Sequence, residues 1–319
     1  MAKPAASQYD GLLAQKKKQR RRAEFRNTLP LYLMMLPGLI YIFCNNYLPM
    51  FGILIAFKRV NFSAGILQSP WVGLSNFEFL FKTKDAWTMI RNTVGYNVVW
   101  ISLGLVISVT IAIFMAELSR RKVAKVIQPI ICFPSMISAV ILSFLVYGFL
   151  STNYGFLNAT IFKDSPINWY ASAKYWPFIL TIVHFWQASG QSSIIYMASI
   201  GGIDKGLYES ARLDGASKIQ QIMHITLPML KPMIILMMLM SIGRIFNSDF
   251  GMFYQVPLGQ GLLTQTTQTI DTYVYRALLE LNNVGMSSAA SVFQAVIGFA
   301  LVVTSNAIVR KVDSENALF

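Results

Sequence analysis

Apolar residues gather in six long blocks, at roughly 30–57, 92–116, 126–150, 176–200, 229–250 and 289–309, with polar stretches between them. Each block is close to the about 20 mostly apolar residues that a helix needs to cross a bilayer. The short alternating segments of a membrane barrel are missing, so helices must satisfy the backbone in lipid. The pattern predicts an all-α polytopic membrane protein with six transmembrane helices. The edges of the first, fourth and fifth blocks are blurred by Pro, Gly or polar residues.

Composition agrees with this. The 319 residues are 55% hydrophobic and 13% charged, against about 25% charged in an ordinary soluble domain. The net charge of +13 is no sign of nucleic acid, because the basic residues flank apolar blocks and form no domain of their own. Eight of the 27 Lys and Arg precede residue 30. The apolar block after them is too long for a signal-peptide core, and no small-residue cleavage site follows, so it reads as a retained first span. Cys44 and Cys132 lack metal-site spacing and read as small core residues.

Positive charge sets the expected orientation. With the N-terminus inside, segments 1–29, 117–125, 201–232 and 310–319 hold 18 Lys and Arg, against 8 in segments 58–91, 151–175 and 251–288. That asymmetry predicts both termini on the cytoplasmic side. Most of it comes from the first 29 residues, since the remaining segments divide 10 to 8. The expected organisation is a basic cytoplasmic segment at 1–29, a transmembrane domain at 30–311 with a cytoplasmic loop at 201–232, and a tail at 312–319. Trp71, Trp87, Trp169, Tyr170, Tyr175 and Trp176 recur at block edges and read as an interfacial belt.

The loop itself reads ESARLDGASKIQQIMHITLPMLKP over 209–232. Asp204 is placed to cap a helix from Lys205. Gly215 is expected to break that helix or let a second one pack close. Ile219, Ile222, Met223 and Leu227 give a partial apolar face, and Pro228 and Pro232 fall where a new span begins. On these features alone, an interfacial helix and a docking surface are both open.

The residue order resembles the EAA motif of ABC-importer permeases of the binding-protein-dependent type, E-A-A-x-x-x-G-A followed by I-x-L-P-x-x-x-P. Glu209, Ala211, Gly215, Ala216, Ile225, Leu227, Pro228 and Pro232 match in register, with Ser210 in place of the middle alanine and Ile222 where an aromatic is often found. Further likeness lies in PWVGLSNFEFLF at 70–81, RNTVGYNVVW at 91–100, and FNSDFGMFYQVP at 246–257 with IDTYVYRALLE at 270–280. The last two look like a subgroup handling oligosaccharides or polysaccharide fragments.

The resemblance implies a type I importer permease fold over about residues 30–311. It implies that Glu209, Ser210, Ala211, Asp214, Gly215 and Ala216 form a coupling surface for an ATPase. Glu209 would pair with a base there, and Ala211, Gly215 and Ala216 would allow close approach. Expected partners are a second and different permease subunit, two cytoplasmic ATP-binding subunits and an extracytoplasmic solute-binding protein, in a bacterial cytoplasmic membrane. The chain contains no G-x-x-x-x-G-K-S/T loop. It is therefore expected to hold no cofactor, with ATP and Mg bound by the partner ATPase, and to be no enzyme.

Charged groups inside a span usually face a cavity or a partner. In the fifth block, Arg244 falls roughly 18 Å along a helix from Pro232. Arg244, Asn247 and Ser248 have near-helical spacing, Asp249 lies toward the outer mouth, and Phe246, Phe250 and Tyr254 offer aromatic surfaces. In the fourth block, His184, Gln187 and Gln191 share a face. Each set is expected either to contact a hydroxyl-rich substrate or to hydrogen-bond between helices; Gln294 is a weaker candidate. His184 has no neighbouring ligand type, which argues against a metal. A carbohydrate is the expected cargo, with an acidic sugar suggested by Arg244. A same-superfamily permease for amino acids, phosphate or polyamines, and an ATPase-independent transporter, are the rivals.

Overall fold

The computed structural model describes residues 25, 28–118, 123–280 and 282–312. Most of the expected basic segment 1–29, part of the expected inner segment 117–125 and the tail beyond Val312 lie outside them. The chain divides into two units, Met1–Leu54 and Ile55–Phe319. In the first unit the described residues from Thr28 onward belong to helix α1 (Thr28–Phe57). Cys44 is exposed there, not a core residue as expected.

The second unit is helical and contains no strand among the described residues; a lone antiparallel bridge joins Lys58 and Trp71. Its main helices are α2 (Lys84–Leu118), α3 (Ala124–Cys132), α4 (Ala139–Leu150), α5 (Trp176–Gly201), α6 (Lys205–Leu213), α7 (Lys218–Ile242), α8 (Ile270–Leu279) and α9 (Val284–Val312). Four helices are long and apolar enough to cross a membrane, namely α1, α2, α7 and α9. The pair α3–α4 makes a fifth if counted as one span, but it bends by 96°. The 26 residues of α5 have the length without the apolarity, because polar residues crowd its middle between His184 and Ser193.

The α3–α4 bend has a local cause. Pro129 lies inside α3, Pro134 follows in a 3-10 turn, Ile137 is extended, and Ser138 caps α4 by accepting from Ile141 N. Proline also explains three wide π turns, Phe43–Tyr47, Ile222–Thr226 and Gly251–Gln255. Each ends two residues before a proline: Pro49, Pro228 and Pro257. In each, the residue before the proline donates its N–H five residues back, as Leu227 N does to Ile222 O. Proline cannot donate, and its ring collides with the carbonyl four residues earlier; widening the turn moves that carbonyl aside.

The interior has three apolar clusters. One joins Tyr96, Trp100, Leu142, Trp176, Leu180 and Phe253. A second packs Leu80, Met89 and Ile270 against α9. The third joins Val109, Ala112, Tyr196 and Leu230 where α2, α5 and α7 meet. Trp169 and Trp176 belong to the first cluster, buried at 7% and 0% exposure, so they are core residues and not the interfacial belt expected of them. Trp71 and Trp87 are exposed. So are Phe144, Phe178, Ile182 and Phe299 on the long helices, where a lipid-facing surface needs apolar side chains.

Candidate functional site

The polar loop after α5 folds from local signals. Asp204 caps α6, with Oδ1 accepting from Gly206 N at 2.9 Å. At the other end Gly215 has φ +81°, a left-handed conformation that suits glycine. Gly215 N donates to Arg212 O (3.1 Å) and Ala216 N donates to Ala211 O (2.8 Å). These two bonds make a Schellman cap, with Ala211 and Ala216 at the positions that meet across it. Asp214 is the capping residue itself. Ser217 and Gln220 then form a capping box that starts α7. Of the small residues in the expected motif, Gly215 therefore has a backbone reason for its type. Glu209, Ser210, Asp214 and Gly215 are exposed, and Ala211 and Ala216 half-buried. Leu213 is 90% exposed at the tip, an apolar knob with nothing on it in this chain.

A cavity of about 330 Å³ lies among α2, α5 and the C-terminal end of α7. Its polar lining includes Asn97, Ser108, His184, Ser189, Ser192, Ser241 and Arg244, against an apolar wall that includes Leu105, Met237 and Met238. Ser189 Oγ is buried there without a hydrogen-bond partner among the described residues. His184 lies flat on Trp100, with ring centroids 3.8 Å apart and planes 9° apart. Phe253 stacks on the same indole at 5.2 Å, and Tyr96 meets Phe253 edge-on at 4.8 Å. A column of rings thus stands at one end of the cavity.

The candidate residues of the fifth block are not on a helix. α7 ends at Ile242; residues 243–246 run as turns and 247–249 without regular structure, and helix resumes at Phe250. The shared helical face expected of Arg244, Asn247 and Ser248 does not exist, because the backbone unwinds before it. Remote side chains hold the unwound segment. Asn97 Nδ2 donates to Ile245 O (3.0 Å) and Asn247 O (2.8 Å), and Gln294 Nε2 donates to Phe246 O (2.6 Å). Non-helical backbone at membrane depth needs such partners, since lipid supplies none.

The set separates accordingly. Arg244 lines the cavity, exposed and without an ion-pair partner among the described residues. Asn247 is used through its carbonyl. Ser248 turns into a hydrogen-bonded knot with Thr269 and Asp271 (2.7 and 2.8 Å). Asp249 Oδ1 accepts from Met252 N at 3.2 Å at the start of a π turn. Phe246 packs into the second apolar cluster and is no sugar-facing surface. Phe250 and Tyr254 form a ring cluster with Tyr275, and Arg276 lies 5.8 Å from the Tyr254 centroid.

The α5 set separates too. His184 lines the cavity; Gln187 Nε2 donates to Ile137 O at the α3–α4 bend (3.2 Å); Gln191 is exposed and does not line the cavity. Sequence reasoning missed Asn97, Ser189 and Asp271 as site-building residues. Asn97 and Ser189 sit on predicted spans, Ser189 within a polar run and Asn97 after Asn92 and Thr93, a signal that intramembrane polarity offers. Asp271 had none, since it lies in a segment read as loop.

The chain resembles known transport proteins over most of its length. Residues 108–314 match the family described as binding-protein-dependent transport system inner membrane component. The polygalacturonan/rhamnogalacturonan transport system permease protein YteP of Bacillus subtilis is 33% identical over 287 residues, 89% of each chain. The trehalose/maltose transport system permease protein MalF of Thermococcus litoralis is 28% identical, over 85% of this chain and 91% of its own. Among solved structures, a bacterial ABC transporter involved in import of the acidic polysaccharide alginate superposes with a TM-score of 0.83 at 29% identity, covering 92% of this chain and 99% of that one. A second structure is the alginate transporter with its pentasaccharide-bound periplasmic protein, at a TM-score of 0.81 and 28% identity, covering 91% and 97%. With its all-helical body and these matches, the chain belongs to the family of binding-protein-dependent transport system inner membrane components and is a transport subunit, not an enzyme.

Proposed function

We propose that this chain is one of two different permease subunits of an ABC importer, and that it passes an acidic oligosaccharide through the cavity lined by Arg244. It crosses the membrane six times, counting α3–α4 as one broken span and α5 as another, with both termini in the cytoplasm. An extracytoplasmic binding protein delivers the sugar. Two cytoplasmic ATPase subunits, which hold ATP and Mg, drive alternating access by moving the loop at 201–232. The relatives named for polygalacturonan and alginate support the cargo class.

The observation that carries the reading is Arg244. A guanidinium with no acid partner among the described residues stands in a cavity whose other polar groups are an amide, hydroxyls and an imidazole. Hydroxyls of a glycan suit the neutral groups, and a carboxylate suits the guanidinium, which binds it in a two-pronged, charge-assisted way. The Met237 and Met238 side chains offer an adaptable apolar wall to a ring face.

The test is ATPase activity stimulated by loaded binding protein in the reconstituted transporter, across neutral and uronic-acid oligosaccharides. Arg244→Ala is expected to lower the acidic-sugar response about ten- to a hundredfold, the worth of one hydrogen-bonded charge, while Arg244→Lys keeps part of it. A preference for neutral glycans that survives Arg244→Ala would count against the acidic cargo.

The coupling role has its own test. Glu209→Ala is expected to cut ATP-driven uptake about tenfold through loss of one charged contact. Gly215→Val forces a β-branched residue to a left-handed φ and undoes the cap, costing about 1–2 kcal/mol locally; less ATPase should co-purify. Unchanged uptake and assembly in both variants would sink the coupling assignment.

A further inference from the structure

Behind α6, on the side facing the helix bundle, lies a groove of about 480 Å³ that neither the cavity nor the coupling surface uses. Its floor is apolar, formed by Ile113 of α2 and by Met197, Ile200 and Ile203 at the end of α5. Its rim carries Lys205 and Arg212 of α6. These two are seven residues apart, so they share one face with Tyr208 between them. Tyr208 is pinned, its hydroxyl 2.9 Å from Thr226 Oγ1 at the end of the π turn in α7. That contact fixes the rotation of α6 and keeps both cations at the groove.

Charge in the groove is unbalanced. Its acid, Glu117, is already engaged by Lys218. Among the described residues neither Lys205 nor Arg212 has an ion-pair partner. An apolar floor under two cations, at the end of the spans where they meet a polar loop, fits an amphipathic anion. A free phosphate or a nucleotide would leave the floor unused. We propose that the groove holds an anionic phospholipid of the cytoplasmic leaflet, its phosphate between Lys205 and Arg212 and an acyl chain along Ile113, Met197 and Ile200. Basic pockets between helices on the cytoplasmic side recognise lipid headgroups in this way, and the stems of Lys and Arg add apolar cover above the chain. The lipid then lies against the same helix that is proposed to couple to the ATPase, so bilayer composition tunes how firmly α6 is seated.

The inference rests on the cytoplasmic placement of loop 201–232, which is checked separately by labelling Lys205→Cys in spheroplasts with a membrane-impermeant thiol reagent. No labelling until the membrane is opened supports that placement; immediate labelling overturns it and the lipid assignment together. For the lipid itself, the assembled transporter is reconstituted in nanodiscs of phosphatidylcholine with phosphatidylglycerol, extracted in detergent, and its retained lipid measured by mass spectrometry. Wild type is expected to keep phosphatidylglycerol over phosphatidylcholine. Lys205→Gln with Arg212→Gln is expected to lower that retention about tenfold or more, and Lys163→Gln with Lys174→Gln, an equal charge change outside the groove, to leave it unchanged. Excess inorganic phosphate should not displace the lipid. Wild type without preference, equal retention in the double variant, or displacement by phosphate each overturns the proposal. The wild-type measurement decides even if the double variant fails to assemble. No sugar is present in the assay, so its outcome is independent of the cargo reading.

Discussion

Gly190→Val is expected to remove the folded permease from the membrane fraction. A Cβ at Gly190 would meet the carbonyl carbon and oxygen of Ile131 inside van der Waals contact. The obstacle is backbone, so no rotamer change relieves it. Ile131 lies in α3 just before the 96° bend, and α5 is the helix against which that bend is braced. Helices in a membrane are held together largely by close packing, and small residues at crossings allow it. Gly190→Ala alone must push α3 away, at about 1–3 kcal/mol or more. Valine adds two methyl groups and separates the helices outright, and the Gln187–Ile137 bond one turn away goes with them. Size-exclusion yield and thermal unfolding in detergent check this. Gly148, with open space around it on α4, is the control: its alanine variant should fold normally, since a helix tolerates alanine better than glycine. A wild-type yield and melting temperature for Gly190→Val would refute the close-crossing account.

Asp271→Ala is the second large effect. Asp271 Oδ2 accepts from Ser248 N at 2.6 Å and from Gln294 Nε2 at 3.1 Å, with Ser248 Oγ 2.8 Å away. One carboxylate thus ties the unwound segment 243–249 to the first turn of α8 and to α9. Its negative charge also suits the N-terminus of α8. Truncation leaves several donors without an acceptor where water is scarce, at roughly 1–3 kcal/mol for each that finds no substitute. The expected order of thermal stability is wild type, then Asp271→Asn, then Asp271→Ala. Transport should fall with stability, because the freed segment carries Arg244. A Ser248→Ala, Asp271→Ala double-mutant cycle should show the two sites strongly coupled. Additive effects, or an Asp271→Ala protein as stable as wild type, would show that the knot is not what holds the segment.

Reading and structure part company at identifiable residues. The loop at 204–220 was legible almost residue by residue: Asp204 caps, Gly215 stops the helix, and a second helix follows. Each of these is decided within a few positions along the chain. The candidate cavity was legible in part. His184 and Arg244 do face a common space, but Gln187, Ser248 and Phe246, chosen on the same grounds, are structural. Helical spacing gives a face only while the helix lasts, and hydropathy does not register that the fifth block stops being a helix at Ile242. A face also changes neighbours along its length, so His184 meets Trp100 while Gln187 meets the α3–α4 bend.

What the sequence determined by itself was therefore everything that depends on local composition and order. That includes a helical membrane protein, the caps and prolines that start and stop its helices, and a loop motif whose glycine, Gly215, the backbone requires. What only the tertiary structure decided was where the chain leaves the helix inside the membrane and what that frees. Asn97 reaches Asn247 across 150 residues, and Gln294 reaches Phe246 across 48. Unwound backbone in lipid is stable only if distant side chains supply its missing hydrogen bonds, and such a pairing leaves no trace in the local pattern of either partner.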